Sequence, residues 1–425
     1  MANTVTQRIR FTRALQSRPF ALLWIGQTIS SLGNGAYITA LAWTVLLLTG
    51  SATAMGVVLI ARTVPMLIFL LIGGVAADRL PRRLVLIVSD SGSAIAVLAV
   101  AVLLGLHRLA LWELVALAFF NGVVSGFFRP AYQSIAPELV EKEALPSANG
   151  LNGLTMQLAT LLGPLIGAGL VALSGPQGAF AFDGLSFVIS VGFLLAIRLP
   201  ESVSSQRAPE HSGPAASRGV RGVVFDVHAG LRYILGSSWL WVTIVLASLY
   251  NVALGGALTI ALPKLVRNVY HADVSLFGLI TAMSGVGAIV AMLVIGQLRH
   301  LRHRGWLAYL GFVMSSVALL AYGLPLPVMI LPAVAVAASF VNGLGIGVFG
   351  IIWDTVLQEL VPADKLGRVS SVEMLGSFAL LPVGYGVIGV LTDRVGAAFV
   401  FLAAGTLALL LSLAGLSVRG IRELE

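Results

Sequence analysis

The chain of 425 residues has no cysteine and only 10% charged residues, against about 25% in a soluble domain. The first absence excludes disulfide frameworks, thiolate metal sites and cysteine nucleophiles. The second excludes an ordinary water-exposed enzyme. The sequence also has no GxxxxGK[ST] loop, no HExxH and no spaced cluster of metal ligands, so ATP hydrolysis and metal catalysis have no support. Neither an enzyme nor a cofactor is expected, and energy would have to come from an ion gradient, at about 2.3 kcal/mol per charge crossing 100 mV.

What is present is apolar: 58% of the residues, with a mean hydropathy of +0.97. A membrane helix needs about 20 mostly apolar residues. Charged and turn-forming breaks divide the chain into twelve such stretches, at 20–48, 52–77, 84–106, 109–133, 147–173, 179–197, 238–265, 276–298, 306–324, 328–357, 369–391 and 397–416. The predicted fold class is an all-α integral membrane protein. Its expected parts are a tail (1–19), a six-helix bundle (20–198), a linker (199–237), a second six-helix bundle (238–418) and a short tail (419–425). Within the linker, Val224, Val227, Leu231 and Ile234 fall on one helical face, which predicts an interfacial helix over 223–235.

Of the 26 Lys and Arg, Arg62 and Arg129 fall inside spans, and Arg108, Lys264, Arg267 and Arg394 fall on one side. The remaining 20 fall on the other side, which the positive-inside rule assigns to the cytoplasm together with both termini. The net charge of +8 is thus topological, and no basic cluster interleaved with aromatics suggests a nucleic-acid partner.

The two halves repeat at a shift near 220 residues on polar and glycine positions. Ser31, Leu32 and Asn34 meet Ser248, Leu249 and Asn251; Asn121, Gly122 and Gly126 meet Asn342, Gly343 and Gly347; Glu138 meets Glu359. Two parallel six-span halves are the organisation of a transporter with its substrate site between them near the bilayer midplane.

The loop after the second span reads Gly74-Val-Ala-Ala-Asp78-Arg79-Leu-Pro-Arg82-Arg83. It resembles the GxxxDRxGRR signature of the major facilitator superfamily, with Pro81 in place of the second glycine. Gly74 would allow close helix approach, and Asp78 could accept from a helix N-terminus and an arginine, latching one conformation. Asp90 and Arg129 are expected to join Asp78 in a gating network. In the fifth span Gly150, Ala159, Gly163, Pro164 and Gly167 resemble the pattern of the drug and proton antiporter branches, where this region is thought to favour export. Trp24, Asn34, Thr49-Gly50-Ser51 and Gly73-Gly74 look like the branch that contains macrolide-efflux proteins and the enterobactin exporter. Members of that branch often have an aspartate where this chain has Asn34, so a first-span carboxylate cannot carry a proton here.

An arginine at a span centre costs about 2.5–3.5 kcal/mol on insertion scales, so Arg62 is expected to face a polar cavity or a carboxylate. The resemblance implies a cavity lined by the first, fourth, seventh and tenth spans. It nominates Asn34, Tyr37, Trp43, Arg62, Tyr250, Asn251, Asn342 and Trp353, a set that suits a bulky amphipathic ligand. Asp183, Glu373 and Asp354 are the candidates for proton coupling.

The expected function is a proton-coupled exporter of drug-like amphipathic small molecules, working by alternating access as a monomer in a bacterial inner membrane, with lipids and protons as its other partners. A lysophospholipid or siderophore transporter is the alternative, and a non-transporting receptor or scaffold is the alternative of a different class.

Overall fold

The computed structural model describes residues 12–197, 228–298 and 302–424, the side chains of Leu71, Val75, Ala77, Asp78, Ala363 and Asp364 excepted. Every regular element among the described residues is helical, and twelve helical segments are long and apolar enough to cross a membrane. With no water in the bilayer core to satisfy peptide groups, a helix that closes its own hydrogen bonds is the structure such segments adopt. Ile95, Val102 and Leu173 stand more than half exposed on the outer faces, as side chains solvated by lipid do.

The first six are α1 (Arg18–Thr49), α2 (Ala52–Arg79), α3 (Arg82–Gly105), α4 (Leu111–Ile135), α5 (Leu145–Ser174) and α6 (Pro176–Ala196). Residues 228–235 form α7, the described part of the expected interfacial helix; positions 223–227 lie outside the described residues. The seventh span is α8 (Ser238–Gly256), a π-helical turn (Ala257–Ala261) and α9 (Leu262–Asn268). Pro263 has no N–H to give its preceding turn, which fits the change of winding there. The rest are α10 (Val274–Ile295), α11 (Arg304–Tyr322), α12 (Leu331–Leu360), α13 (Ala363–Phe378), α14 (Leu381–Val395), α15 (Ala397–Ser417) and α16 (Arg419–Arg422). The span expected over 369–391 runs Lys365–Val395 and is built from two helices, α13 and α14, parted just ahead of Pro382.

The chain forms two compact units: Met1–Leu41 with Ala61–Gly213, and Ala42–Ile60 with Pro214–Glu425. In the first, Phe20, Leu23, Leu86, Ile135 and Leu194 are fully buried where α1, α3, α4 and α6 meet. In the second, the core is aromatic. The ring of Phe312 stacks on Phe349 at 3.7 Å and on Tyr250 at 4.2 Å, and Trp353 continues the stack from Phe349 at 5.9 Å.

The halves repeat in their packing as well as in their letters. A Cβ at Gly122 would lie closer than 3.0 Å to the Arg62 carbonyl, and one at Gly343 equally close to the Ser284 carbonyl, so α4 crosses α2 as α12 crosses α10. Arg82 pairs with Glu138, and Arg304 with Glu359. Gly175 (φ +77°) and Gly396 (φ +90°) make the corresponding turns before α6 and α15, in a conformation that side chains resist.

Candidate functional site

The strongest polar constellation in the first unit gathers around Arg62. From α2 its Nε donates to Asn121 Oδ1 on α4 at 3.2 Å, and its Nη2 to Asn34 Oδ1 on α1 at 3.4 Å. The guanidinium also lies 4.9 Å from the centre of the Tyr37 ring, a cation–π distance. Tyr37 in turn meets Phe180 edge to face at 5.5 Å. The amides that orient Arg62 come from α1 and α4, and Gly122 lets α4 approach the α2 backbone closely.

Asp183, on α6, completes this group. It is 1% exposed, and neither carboxylate oxygen has a hydrogen-bond partner. Its Oδ1 faces the bare Cα of Gly33 on α1, where a Cβ would come within 2.6 Å. Arg62 and Asp90 are the charged groups that act on it. A bare carboxylate cut off from water is costly enough to require a cation or a proton. Here the cation at hand is Arg62.

Asp90 lies in the same unit and is as fully buried, 1% exposed. Its Oδ2 accepts from Ser190 Oγ at 2.7 Å and from Gln27 Nε2 at 3.3 Å, and Gln27 also donates to Ser190 at 2.9 Å. These bonds bind α1, α3 and α6 to one another. The structure therefore joins Asp90 to Gln27 and Ser190, while Arg129 stands exposed on α4. Sequence reading missed Gln27 and Ser190, because hydroxyl and amide side chains carry no periodic signal.

In the loop motif, Asp78's side chain lies outside the described residues and Arg79 is exposed at the end of α2. Arg82 donates to the Ser134 carbonyl at 2.9 Å as well as to Glu138. Arg83 donates to the carbonyls of Leu194 and Leu195 at 2.7 and 2.8 Å, satisfying the open end of α6. The close helix approach expected at Gly74 falls on its neighbour. A Cβ at Gly73 would meet the Gly126 carbonyl at 2.6 Å, whereas one at Gly74 would meet nothing within 4 Å.

The antiporter-type motif on α5 packs against α1. Gly163 faces Gly35 backbone to backbone, Gly167 faces Ala36, and the Ala159 carbonyl lies 2.9 Å from where a Gly35 Cβ would be. Pro164 is buried and α5 continues through it; Gly150 is half-buried near the start of the helix.

Of the nominated cavity residues in the second unit, Tyr250, Asn342 and Trp353 sit in its packed interior. Tyr250 donates to the Phe312 carbonyl at 3.3 Å and Asn342 to Ser315 at 2.8 Å, while Asn251 donates to the Ser377 carbonyl at 3.2 Å. Trp43 stacks on Phe277 at 6.3 Å. Glu373 accepts from Ser377 at 3.1 Å and lies near Trp353 and Asp354. The structure thus brings Glu373, Asp354 and Trp353 into one group.

A further cluster centres on an acid near the end of a span. Asp393 on α14 accepts from Ser51 Oγ at 2.6 Å and from the backbone N–H groups of Ala52 and Thr53 at 2.8 and 2.9 Å, and pairs with Lys264 of α9 at 2.5 Å. A carboxylate there offsets the positive start of α2. Arg267 donates to the Leu46 carbonyl at 3.2 Å beside it. Gly56 and Gly389 let α2 and α14 cross with backbone in contact, at Tyr385 and Ala52 respectively.

A family model described as Major Facilitator Superfamily matches residues 23–380. Among curated relatives, the chain is 28% identical over 422 residues to "Multidrug efflux pump Tap" of Mycolicibacterium fortuitum, covering 96% of this chain and 97% of that protein. It is 26% identical over 357 residues to "Enterobactin exporter EntS" of Citrobacter koseri, covering 84% and 81%. Among solved structures, nucleoside transporter NupG superposes with a TM-score of 0.72 at 16% identity over 94% of this chain and 98% of that one. A D-xylose-proton symporter gives 0.69 at 14% identity, over 93% and 96%. At these identities the two solved structures bear on the fold alone.

Proposed function

Because the chain belongs to the major facilitator superfamily, whose members are membrane transporters and not enzymes, we propose that it is a proton-coupled exporter of amphipathic small molecules that works by alternating access. In this reading it is a monomer of the inner membrane, its two six-helix bundles rock about a central site, and both termini lie in the cytoplasm. Export is supported by two relatives, a multidrug efflux pump and an enterobactin exporter.

The observation that carries proton coupling is the buried Asp183, whose carboxylate oxygens have no hydrogen-bond partner and on which the nearby charge of Arg62 acts. In the proposed cycle Asp183 exchanges a proton for the Arg62 guanidinium as its compensating charge, while Arg62 shifts between Asp183 and its amide partners Asn34 and Asn121. A charge that is satisfied in only one arrangement couples an ion to a conformation. The Asp393 and Lys264 cluster fastens the α1–α2 turn in one state and must release it in the other. In this cycle the loop motif latches the opposite end.

The test is accumulation of macrolides, lipophilic dyes and siderophores in pump-deficient bacterial cells with and without the protein, repeated with an uncoupler and with Asp183→Asn. Lower accumulation that both the uncoupler and the substitution abolish is expected. Extrusion that persists in Asp183→Asn at the wild-type rate would overturn coupling through this residue. A siderophore cargo is the second reading, favoured by the enterobactin exporters among the relatives; extrusion of siderophores but of no drug or dye would select it.

A further inference from the structure

A cavity of about 260 Å³ opens between α7 and α13, lined by Ala229, Gly230, Arg232, Tyr233, Lys365 and Arg368. Three of its six lining residues are cations, drawn from two elements far apart in sequence. Lys365 and Arg368 occupy the first two turns of α13, the positive end of a sixteen-residue helix, where cations are disfavoured and anions favoured.

The walls of the cavity are fixed by packing. A Cβ at Gly230 would come within 2.9 Å of the Arg368 carbonyl and 3.0 Å of Val372, so α7 seats directly on α13. Ile234 is buried in the aromatic core of the second unit, which anchors α7 from beneath. The Lys365 ammonium lies 5.1 Å from the centre of the Tyr233 ring, which holds it at the rim. On the outer side Leu231 and Leu235 are 42% and 61% exposed, an apolar flank beside a cationic mouth.

We propose that this cavity binds a phosphate group, and that in the membrane the group is the headgroup of an anionic phospholipid. Guanidinium and ammonium groups lining one cavity suit the oxygens of a phosphate, which an arginine can engage bidentately. Basic pockets at the ends of membrane helices are suited to such headgroups. The apolar flank gives acyl chains a surface, whereas a free phosphate ester would need only the cations. The proposal rests on the membrane reading of the chain and is independent of cargo and proton coupling.

Binding to full-length, delipidated protein in detergent tests it, by native mass spectrometry and by thermal unfolding. The probes are phosphatidylglycerol, phosphatidylcholine, glycerol 3-phosphate and inorganic phosphate. Phosphatidylglycerol should bind and raise the unfolding temperature, and phosphatidylcholine should do neither. The R232Q/K365Q/R368Q variant should bind phosphatidylglycerol at least tenfold more weakly, while the remote R419Q/R422Q binds as wild type. Should the triple glutamine variant not fold, R232Q alone carries the test through a partial loss. Stabilisation by glycerol 3-phosphate or inorganic phosphate equal to that by phosphatidylglycerol would keep the phosphate site and reassign its source to a soluble ester. Undiminished phosphatidylglycerol binding by the glutamine variants, or equal binding of phosphatidylcholine, would overturn the proposal. A protein inactive in export yet selective for phosphatidylglycerol would refute the transport reading alone.

Discussion

The Lys264 ammonium lies 2.5 Å from the Asp393 carboxylate, and the same carboxylate caps the start of α2 through the amides of Ala52 and Thr53. One acid therefore holds a helix start, a hydroxyl and a cation at once. Asp393→Ala removes every acceptor in that arrangement. Loss of a cap costs about 0.5–2 kcal/mol, which should speed amide exchange of the peptide covering residues 50–54 by roughly tenfold. Exchange in the middle of α3 should not change. Hydrogen–deuterium exchange mass spectrometry of the detergent-purified protein reads both regions in one experiment, and unchanged protection at 50–54 would show that the cap does not hold the turn.

The repeat predicts where glycine is indispensable. At Gly122 and Gly343 an added methyl group would press on a carbonyl of the crossing helix, and neither backbone can give way without moving a span. Gly122→Ala and Gly343→Ala should each cost about 1–3 kcal/mol through overpacking. Gly74→Ala meets open space and should stay within about 0.5 kcal/mol of wild type. Yield of monodisperse protein and its unfolding temperature will rank the three, and Gly74→Ala as damaging to the fold as Gly122→Ala would contradict the crossing geometry.

Arg83 illustrates a loop-motif cation with a task inside its own unit. Its guanidinium satisfies the carbonyls of Leu194 and Leu195 at the end of α6. Arg83→Gln should fray that end, at a cost of about 1 kcal/mol per lost bond, more where the donor is charged. A cysteine placed at Leu195 in this cysteine-free chain offers the measurement: its maleimide labelling should quicken severalfold in the Arg83→Gln background. Equal labelling rates would assign the motif arginine to some other contact.

Much of this architecture was legible beforehand, for reasons that differ by element. The spans follow from length and hydropathy alone, since a lipid-solvated backbone has few options. The repeat was legible because Asn121 and Asn342, or Glu138 and Glu359, are polar letters that shared hydrophobicity does not produce. Breaks within spans were not: the π turn at Ala257–Ala261 and the parting of α13 from α14 depend on single prolines and local winding. At the candidate site Arg62 and Asp183 each stood out as an ionisable residue in an apolar run. That Arg62 acts on Asp183 did not, because the two lie on α2 and α6, more than 100 residues apart, and the acid fits only where Gly33 of α1 leaves room for it. Asp393 was passed over because its partners Ala52 and Thr53 lie more than 300 residues away in sequence. The cationic cavity was hidden for a similar reason, as Arg232 sits in a linker that composition marks only as polar.

Arg62 and Asp183 also allow a test of whether a half-buried cation and the buried acid it acts on work as a unit. If the two exchange compensation during transport, removing either should stop the same step. Arg62→Gln should lower cargo extrusion at least tenfold, because an amide can replace one donor toward Asn34 or Asn121 but brings no charge to Asp183. Asp183→Asn should do the same while leaving the fold intact, since Asn is isosteric and the carboxylate oxygens it replaces accept no hydrogen bond. The double variant should then be no worse than either single one, an interaction that additivity forbids for independent sites. Transport assayed in proteoliposomes with an imposed pH gradient, alongside the unfolding temperature of each variant, separates this from a purely structural pair. A structural pair predicts that unfolding temperatures fall with transport and recover together in the double variant. A coupling pair predicts nearly constant unfolding temperatures, loss of pH-driven uptake in all three variants, and survival of cargo equilibration down its own gradient in those lacking Asp183.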